Sequence, residues 1–150
     1  MSELAPTSWV RRVPMIILAV SGFSVGLWIQ LTPQGFYDEF PGAGHRWVAS
    51  FGPFNEHLLR DFGAMNLALA ALALVAAVRL DRSLVLAASG TWFLFGVQHL
   101  AFHLFHVDML DGIDRIASPA ALVVVVVTAV AGWLLAPPAA SAGLSGRTVG

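Results

Sequence analysis

Residues 13–31 read VPMIILAVSGFSVGLWIQL, and this stretch decides the fold class. Its nineteen residues include no Asp, Glu, Lys or Arg. A helix rises roughly 1.5 Å per residue, so this length crosses a hydrocarbon core of about 30 Å. Arg11 and Arg12 precede it, as in a signal peptide, but the apolar run is long and residues 21–31 offer no convincing small-x-small cleavage pattern. We therefore predict a retained transmembrane helix.

Three further apolar stretches of similar length follow, over residues 57–79, 84–107 and 116–136. The whole chain has 57% hydrophobic and 11% charged residues, whereas a soluble domain has about a quarter charged residues. We predict an all-α fold, a four-transmembrane-helix bundle that forms one membrane domain over residues 1–136. Residues 137–150 begin with two prolines and are rich in small residues, so we expect a disordered cytoplasmic tail there.

The longest connection, residues 32–55, joins the first two spans and is rich in aromatic residues: Phe36, Tyr37, Phe40, Trp47, Phe51 and Phe54. Aromatic rings favour the membrane–water interface. We expect this extracytoplasmic loop to fold over the helices as a lid, with a short helix within residues 44–51. A simple interfacial anchor is the alternative. Asn55 is expected to cap the second span.

The arginines predict the orientation of the spans. An even number of spans puts both termini on one side, which then carries five of the eight arginines: Arg11, Arg12, Arg79, Arg82 and Arg147. Arginine is enriched in cytoplasmic segments. We therefore predict a multi-pass protein of the plasma membrane with cytoplasmic termini. All five histidines and seven of the nine acidic residues lie in the outward half.

Composition also limits the partners and the chemistry. The chain has no cysteine, which excludes disulfides, thiolate metal sites and cysteine catalysis. Its net charge is −1 and it has no basic run, so nucleic-acid binding is not expected. The expected partners are the lipid bilayer and either further copies of the chain or a larger membrane complex. Gly22 and Gly26 form a small-xxx-small pattern, typical of close helix packing within or between subunits.

The third span ends in a run of histidines spaced four and then three apart: His99, His103 and His106. At about 100° per residue, these three share one helix face. On the second span, His57 and Asp61 are four apart and also share a face. The short turn at residues 79–83 makes the two spans antiparallel neighbours, and counting outward from it brings His57 level with the end of the histidine run.

Imidazoles together with a carboxylate suit zinc, copper or iron. The leading hypothesis is a divalent metal site near the outer face of an oxidoreductase or metal-handling protein, with these ligands: His57, Asp61, His103 and His106. Four residues are expected to support the site: Glu56, Arg60, His99 and His45. Because His99 and His106 lie about 10 Å apart along the helix, one ion is not expected to take all three histidines of the run.

Two other hypotheses stay open for the histidines. Facing histidines in a helix bundle can supply the axial ligands of haem b, and Gly96 beside His99 could admit a flat macrocycle. Alternatively, the chain is a non-enzymatic accessory or structural subunit of a membrane complex. Histidine–carboxylate hydrogen bonds would then tie the second and third spans together, or the histidines would relay protons or sense pH.

Two other polar features of the second span predict structural roles. Glu56 and Arg60 are four apart and are expected to form an intrahelical ion pair. Asn66 lies on the face opposite His57, so we expect it to hydrogen-bond to the first or fourth span rather than join the site.

Short motifs resemble a known family. The first span closes in LTP at residues 31–33, and the second opens with RDFGAMNLA at residues 60–68. Together with the short turn and the polar end of the third span, this layout resembles small four-helix bacterial membrane proteins of the DoxX-like type. The resemblance covers most of the chain in architecture and about ten residues in detail. It implies a four-helix membrane fold and a link to oxidoreduction.

Overall fold

The computed structural model describes residues 6–139, and every regular element in that range is helical. The α-helices are, in order, α1 (Pro6–Leu31), α2 (Pro33–Glu39), α3 (Glu56–Arg79), α4 (Arg82–Phe105) and α5 (Asp114–Leu134). Short 3-10 turns cover Ala49–Phe51 and Val107–Met109. The all-α prediction is confirmed. Most of the predicted tail, residues 140–150, lies outside the described residues.

Four of these helices, α1, α3, α4 and α5, are long and apolar enough to cross a membrane, as predicted. Their bounds differ from the predicted ones mainly at the ends of the chain. Helix α1 begins at Pro6, so it includes residues 6–12 before the apolar stretch. The predicted loop also contains α2, which begins at Pro33, since proline has no N–H and is well accommodated in the first helical turn.

Local signals set the ends of α3. The Asn55 side chain accepts a hydrogen bond from the backbone N–H of Leu58 at 3.1 Å, which confirms the predicted N-cap. At the other end, Leu80 adopts a left-handed conformation with φ of 55° and closes the helix. Asp81 is extended, and α4 begins at the next residue. This tight turn makes α3 and α4 an antiparallel pair.

The most extensive helix contacts are α1 with α3 and α4 with α5. Glycines allow both approaches. A Cβ atom on Gly22 would lie 2.9 Å from the Asn66 carbonyl oxygen, and one on Gly26 would lie 2.9 Å from the Gly63 carbonyl oxygen. A Cβ on Gly96 would meet the Val126 side chain of α5 at 3.0 Å. The small-xxx-small pattern of α1 therefore serves packing within the chain.

The two ends of the molecule differ, and we name them by their residues. The arginine end carries Arg11, Arg12, Arg79 and Arg82, and the histidine end carries His45, His57, His103 and His106. At the arginine end, Arg12 donates hydrogen bonds to the carbonyl oxygens of Ala77 and Val78 near the end of α3. The buried core toward this end consists largely of small side chains from four helices: Ala19, Ala73, Ala76, Ala77, Ala88 and Ala129. At the histidine end, larger side chains surround a cavity.

Candidate functional site

The cavity has a volume of about 500 Å³ and lies between the α1/α3 and α4/α5 pairs. Aromatic and aliphatic side chains form most of its wall. Trp92 is buried where the cavity meets the small-residue core, and its indole N–H donates to the Leu69 carbonyl at 3.1 Å. This bond satisfies the one polar atom of the Trp92 side chain. The cavity is in the size range of small-molecule binding sites.

The segment from residue 40 to residue 54, which we call the lid, covers the cavity at the histidine end. Its side chains Phe40, Trp47, Val48 and Phe51 line the cavity. The Phe51 ring lies edge-on to the His103 ring, with centroids 4.7 Å apart. The predicted short helix is present only as the 3-10 turn at Ala49–Phe51. Phe51 also contacts the Phe102 ring of α4, with centroids 5.7 Å apart.

Polar contacts attach the lid on two sides. His45 Nδ1 lies 2.7 Å from Asp114 Oδ1, at the beginning of α5. Arg46 pairs with Asp38 of α2, with Nη2 and Oδ1 3.1 Å apart. His45, expected to support a metal site, therefore contacts an acidic residue that sequence reasoning had not paired with it. We call the His45–Asp114 pair the latch.

Two of the predicted site residues, His99 and His103, line the cavity from α4. Their imidazole rings are stacked, with centroids 4.9 Å apart and planes inclined by 15°. Phe62 and Phe95 flank the His99 ring at 5.8 and 5.4 Å. The two imidazoles therefore form a flat polar surface inside a largely apolar wall.

His103 has a hydrogen-bond partner on α5. Its Nδ1 lies 2.8 Å from the hydroxyl oxygen of Ser118, a buried residue that also lines the cavity. A serine hydroxyl both donates and accepts, and a neutral imidazole has one donor and one acceptor nitrogen. The direction of the Ser118–His103 bond therefore determines whether Nε2 of His103 donates or accepts.

His57 and Asp61 do not join the cavity. Their side chains are 90% and 67% exposed, and they pair with each other, with His57 Nε2 3.3 Å from Asp61 Oδ2. The sequence argument correctly put them on one face of α3, but that face points away from the cavity. Leu58, Leu59 and Phe62 line the cavity instead.

His106 is also separate from the cavity lining. Its ring stacks on Phe102 with centroids 4.2 Å apart, and its Nδ1 lies 2.8 Å from the Phe102 carbonyl oxygen. Glu56 and Arg60 form the predicted i,i+4 pair at 2.8 Å. Arg60 also donates to the Gln30 carbonyl, and Gln30 donates back to the Arg60 carbonyl. These contacts join the end of α1 to the beginning of α3.

The predicted metal ligands are thus distributed over different surfaces. Within residues 6–139, no group of three or more His, Cys, Asp or Glu side chains is arranged to hold a metal ion. The space beside Gly96, which the haem hypothesis used, is filled by Val126. Metal and haem binding nevertheless stay predictions, and elemental analysis with an absorption spectrum of the purified protein tests both.

Sequence reasoning missed several residues of the cavity wall. Ser118 gave no pattern, because a single serine in an apolar span is common. Asn66 was expected to bond to another helix, yet its amide donates to the Phe62 carbonyl of its own helix and its side chain lines the cavity. The signal that could have found it is its position one turn from Phe62 on the face opposite His57.

The cavity wall contains no Arg, Asp or Glu side chain. Its polar side-chain groups are two imidazoles, two hydroxyls, one amide and two indole N–H groups, from His99, His103, Ser21, Ser118, Asn66, Trp47 and Trp92. A ligand with a formal charge would lack an oppositely charged partner there, and burying an unpaired charge is costly. The wall therefore favours a neutral, largely apolar molecule with a few hydrogen-bonding atoms.

Comparison of the chain with protein-family models, curated proteins and solved structures finds no match. The resemblance to the DoxX-like type consequently stays a prediction.

Proposed function

We propose that this chain is an integral membrane protein that binds a neutral, lipid-soluble small molecule in the cavity at its histidine end. In this proposal the four long helices form a transmembrane bundle, with the arginine end in the cytoplasm and the histidine end outside. His99 and His103 contact the polar part of the ligand, and the lid covers it.

The cavity itself carries this proposal. Ligand sites in proteins are mostly apolar clefts of about 300–1,000 Å³, and this one measures about 500 Å³. An apolar space of this size in the membrane is suited to a hydrophobic ligand. Because lipid tails are as apolar as the wall, close packing and hydrogen bonds to the polar groups of the wall would hold such a ligand there. The two imidazoles add hydrogen-bonding positions that a purely structural void would not need.

The cavity wall also has an opening through which a lipid-soluble molecule could enter. Leu58 of α3 and Phe102 of α4 line the cavity and are nevertheless 66% and 49% exposed. Both lie near the histidine end of their helices. A ligand dissolved in the outer leaflet would therefore reach the cavity sideways, between α3 and α4, without crossing water.

Solvent extraction of the purified protein, followed by mass spectrometry, tests the proposal. We expect a stoichiometric lipid-soluble molecule in the wild-type protein. Leu122→Trp should lose most of it, because Leu122 lines the cavity and the larger ring would occupy the space. Val123→Trp is the matched control, because Val123 is its exposed neighbour and does not line the cavity.

Equal retention by the Leu122→Trp and Val123→Trp variants would contradict a ligand in this cavity. An empty cavity together with a co-purified partner chain would instead favour the accessory-subunit hypothesis. Stoichiometric zinc, copper or iron in the same samples would favour the metal hypothesis, and a Soret band would favour haem.

A further inference from the structure

We infer that the ligand is a membrane quinone, a flat conjugated ring whose carbonyl oxygens become hydroxyls in the reduced quinol, with an apolar tail. This inference rests on the proposed function and concerns the chemical class of the ligand in the same cavity. We infer only that the cavity binds both the quinone and the quinol, and no redox step is included.

The first support is the shape of the polar surface. The imidazoles of His99 and His103 stack on each other, and the rings of Phe51, Phe62 and Phe95 surround them. Aromatic side chains prefer stacked or edge-to-face contacts with other flat rings. A planar head group fits such surroundings better than a branched or puckered one.

The second support is the free hydrogen-bonding capacity of His99. Among the described residues, its imidazole makes ring contacts to Phe62, Phe95 and His103 and has no hydrogen-bond partner. Polar groups inside a membrane are expensive unless they are paired. A ligand oxygen in the cavity would supply the partner that the chain does not.

The third support is the pair formed by His103 and Ser118. When the Ser118 hydroxyl donates to Nδ1 of His103, Nε2 carries the proton and donates to a carbonyl oxygen of the ligand. When the hydroxyl rotates and accepts from Nδ1, Nε2 becomes an acceptor for a ligand hydroxyl. The same neutral pair therefore serves a quinone and its quinol without a change of net charge.

The remaining wall suits a tail and disfavours other lipid heads. Val25, Leu122 and Val125 provide an aliphatic surface beside the rings. A phosphate head group would find no Arg in the wall to pair with its charge. A prenyl or alkyl chain can leave through the opening between Leu58 and Phe102.

Titration of the protein in nanodiscs with a decyl-substituted benzoquinone and with its quinol tests the inference. Trp47 and Trp92 line the cavity, so binding should quench tryptophan fluorescence or be measurable by displacement. We expect both forms to bind with affinities within about threefold, and decanol to bind at least about tenfold more weakly, since it lacks the ring and its second oxygen.

His103→Phe should weaken both forms by about tenfold, because the ring remains while the hydrogen bond is lost. His57→Phe is the matched control and should leave both affinities unchanged, because His57 points away from the cavity. Ser118→Ala should weaken both forms as well, and it serves as the second variant if His103→Phe does not fold.

Different results would overturn the quinone assignment and the proposed binding of a lipid-soluble ligand. Decanol binding as tightly as the quinone, or quinone binding unaffected by both His103→Phe and Ser118→Ala, overturns the quinone assignment and leaves a lipid-soluble ligand standing. Strong preference for one form overturns the role of the Ser118–His103 pair. Failure of every hydrophobic probe to bind overturns the proposed function and the quinone assignment together.

Discussion

The arginine end and the histidine end of this molecule are built from side chains of different size. Toward the arginine end, alanines bring four helices into direct contact around Met15 and Leu18. Toward the histidine end, phenylalanine, tryptophan and histidine rings line a space of about 500 Å³ between the two helix pairs. The close packing toward the arginine end can therefore hold the helices together while the histidine end leaves space for a ligand.

Enlarging one alanine at each end tests this difference in packing, and it should give the largest change in stability. Ala76→Leu introduces a larger side chain into fully buried packing at the arginine end and should cost about 3 kcal/mol, near the upper range for overpacked cores. Ala121→Leu makes the same change at an exposed position in the cavity wall and should cost less than about 1 kcal/mol, because both the cavity and the exposed side of the helix leave room for the larger side chain. Equilibrium unfolding in detergent measures both. Equal costs would mean that the cavity is as tightly packed as the core.

A smaller effect is expected from removing the latch, the His45–Asp114 pair at the histidine end. His45→Ala removes the contact to Asp114 and should loosen the lid. The chain has no cysteine, so Leu122→Cys introduces a single thiol in the cavity wall. Its reaction with a water-soluble maleimide should become several-fold faster in the His45→Ala background.

Ser50→Ala is the control for the latch, because the Ser50 hydroxyl bonds only to the Arg46 carbonyl within the lid. It should leave the labelling rate unchanged. A labelling rate that does not respond to His45→Ala would show that the latch does not hold the lid closed.

The smallest effect is expected for the exposed pair on α3. His57→Ala should change the free energy of unfolding by no more than about 0.5 kcal/mol, because exposed i,i+4 ion pairs contribute little. It should also leave ligand binding in the cavity unchanged. Loss of a stoichiometric metal ion from this variant would instead support the metal site that the sequence predicts.

The number of long helices, their type and their local end signals were readable from the sequence, since each depends on residues close together in the chain, whereas the short helix α2 was not predicted. The four apolar stretches predicted four helices long enough to cross a membrane, and α1, α3, α4 and α5 cover those stretches. Asn55 predicted the beginning of α3, and Glu56 with Arg60 predicted an ion pair on its first turns. These signals need no knowledge of the neighbouring helices.

The composition of the site was only partly readable. His99 and His103 were predicted as site residues, and they do meet in the cavity wall. His57 and Asp61 were placed with them by counting along the hairpin, which gives depth but not helix rotation. At the water-exposed end of α3 these two side chains can satisfy each other, so nothing forces them inward.

The four long apolar helices, the turn between α3 and α4, and the position of the histidines toward one end all follow from the sequence. Which face of each helix meets its neighbours is known only from the folded structure. The physical reason is that a membrane-spanning helix is apolar all round, so its hydrophobic pattern does not mark an inner face. On α3, Ala73 is buried and Ala71 is exposed, although their side chains are identical. Packing against α1 makes that distinction, and it thereby turns Asn66 toward the cavity and His57 away from it.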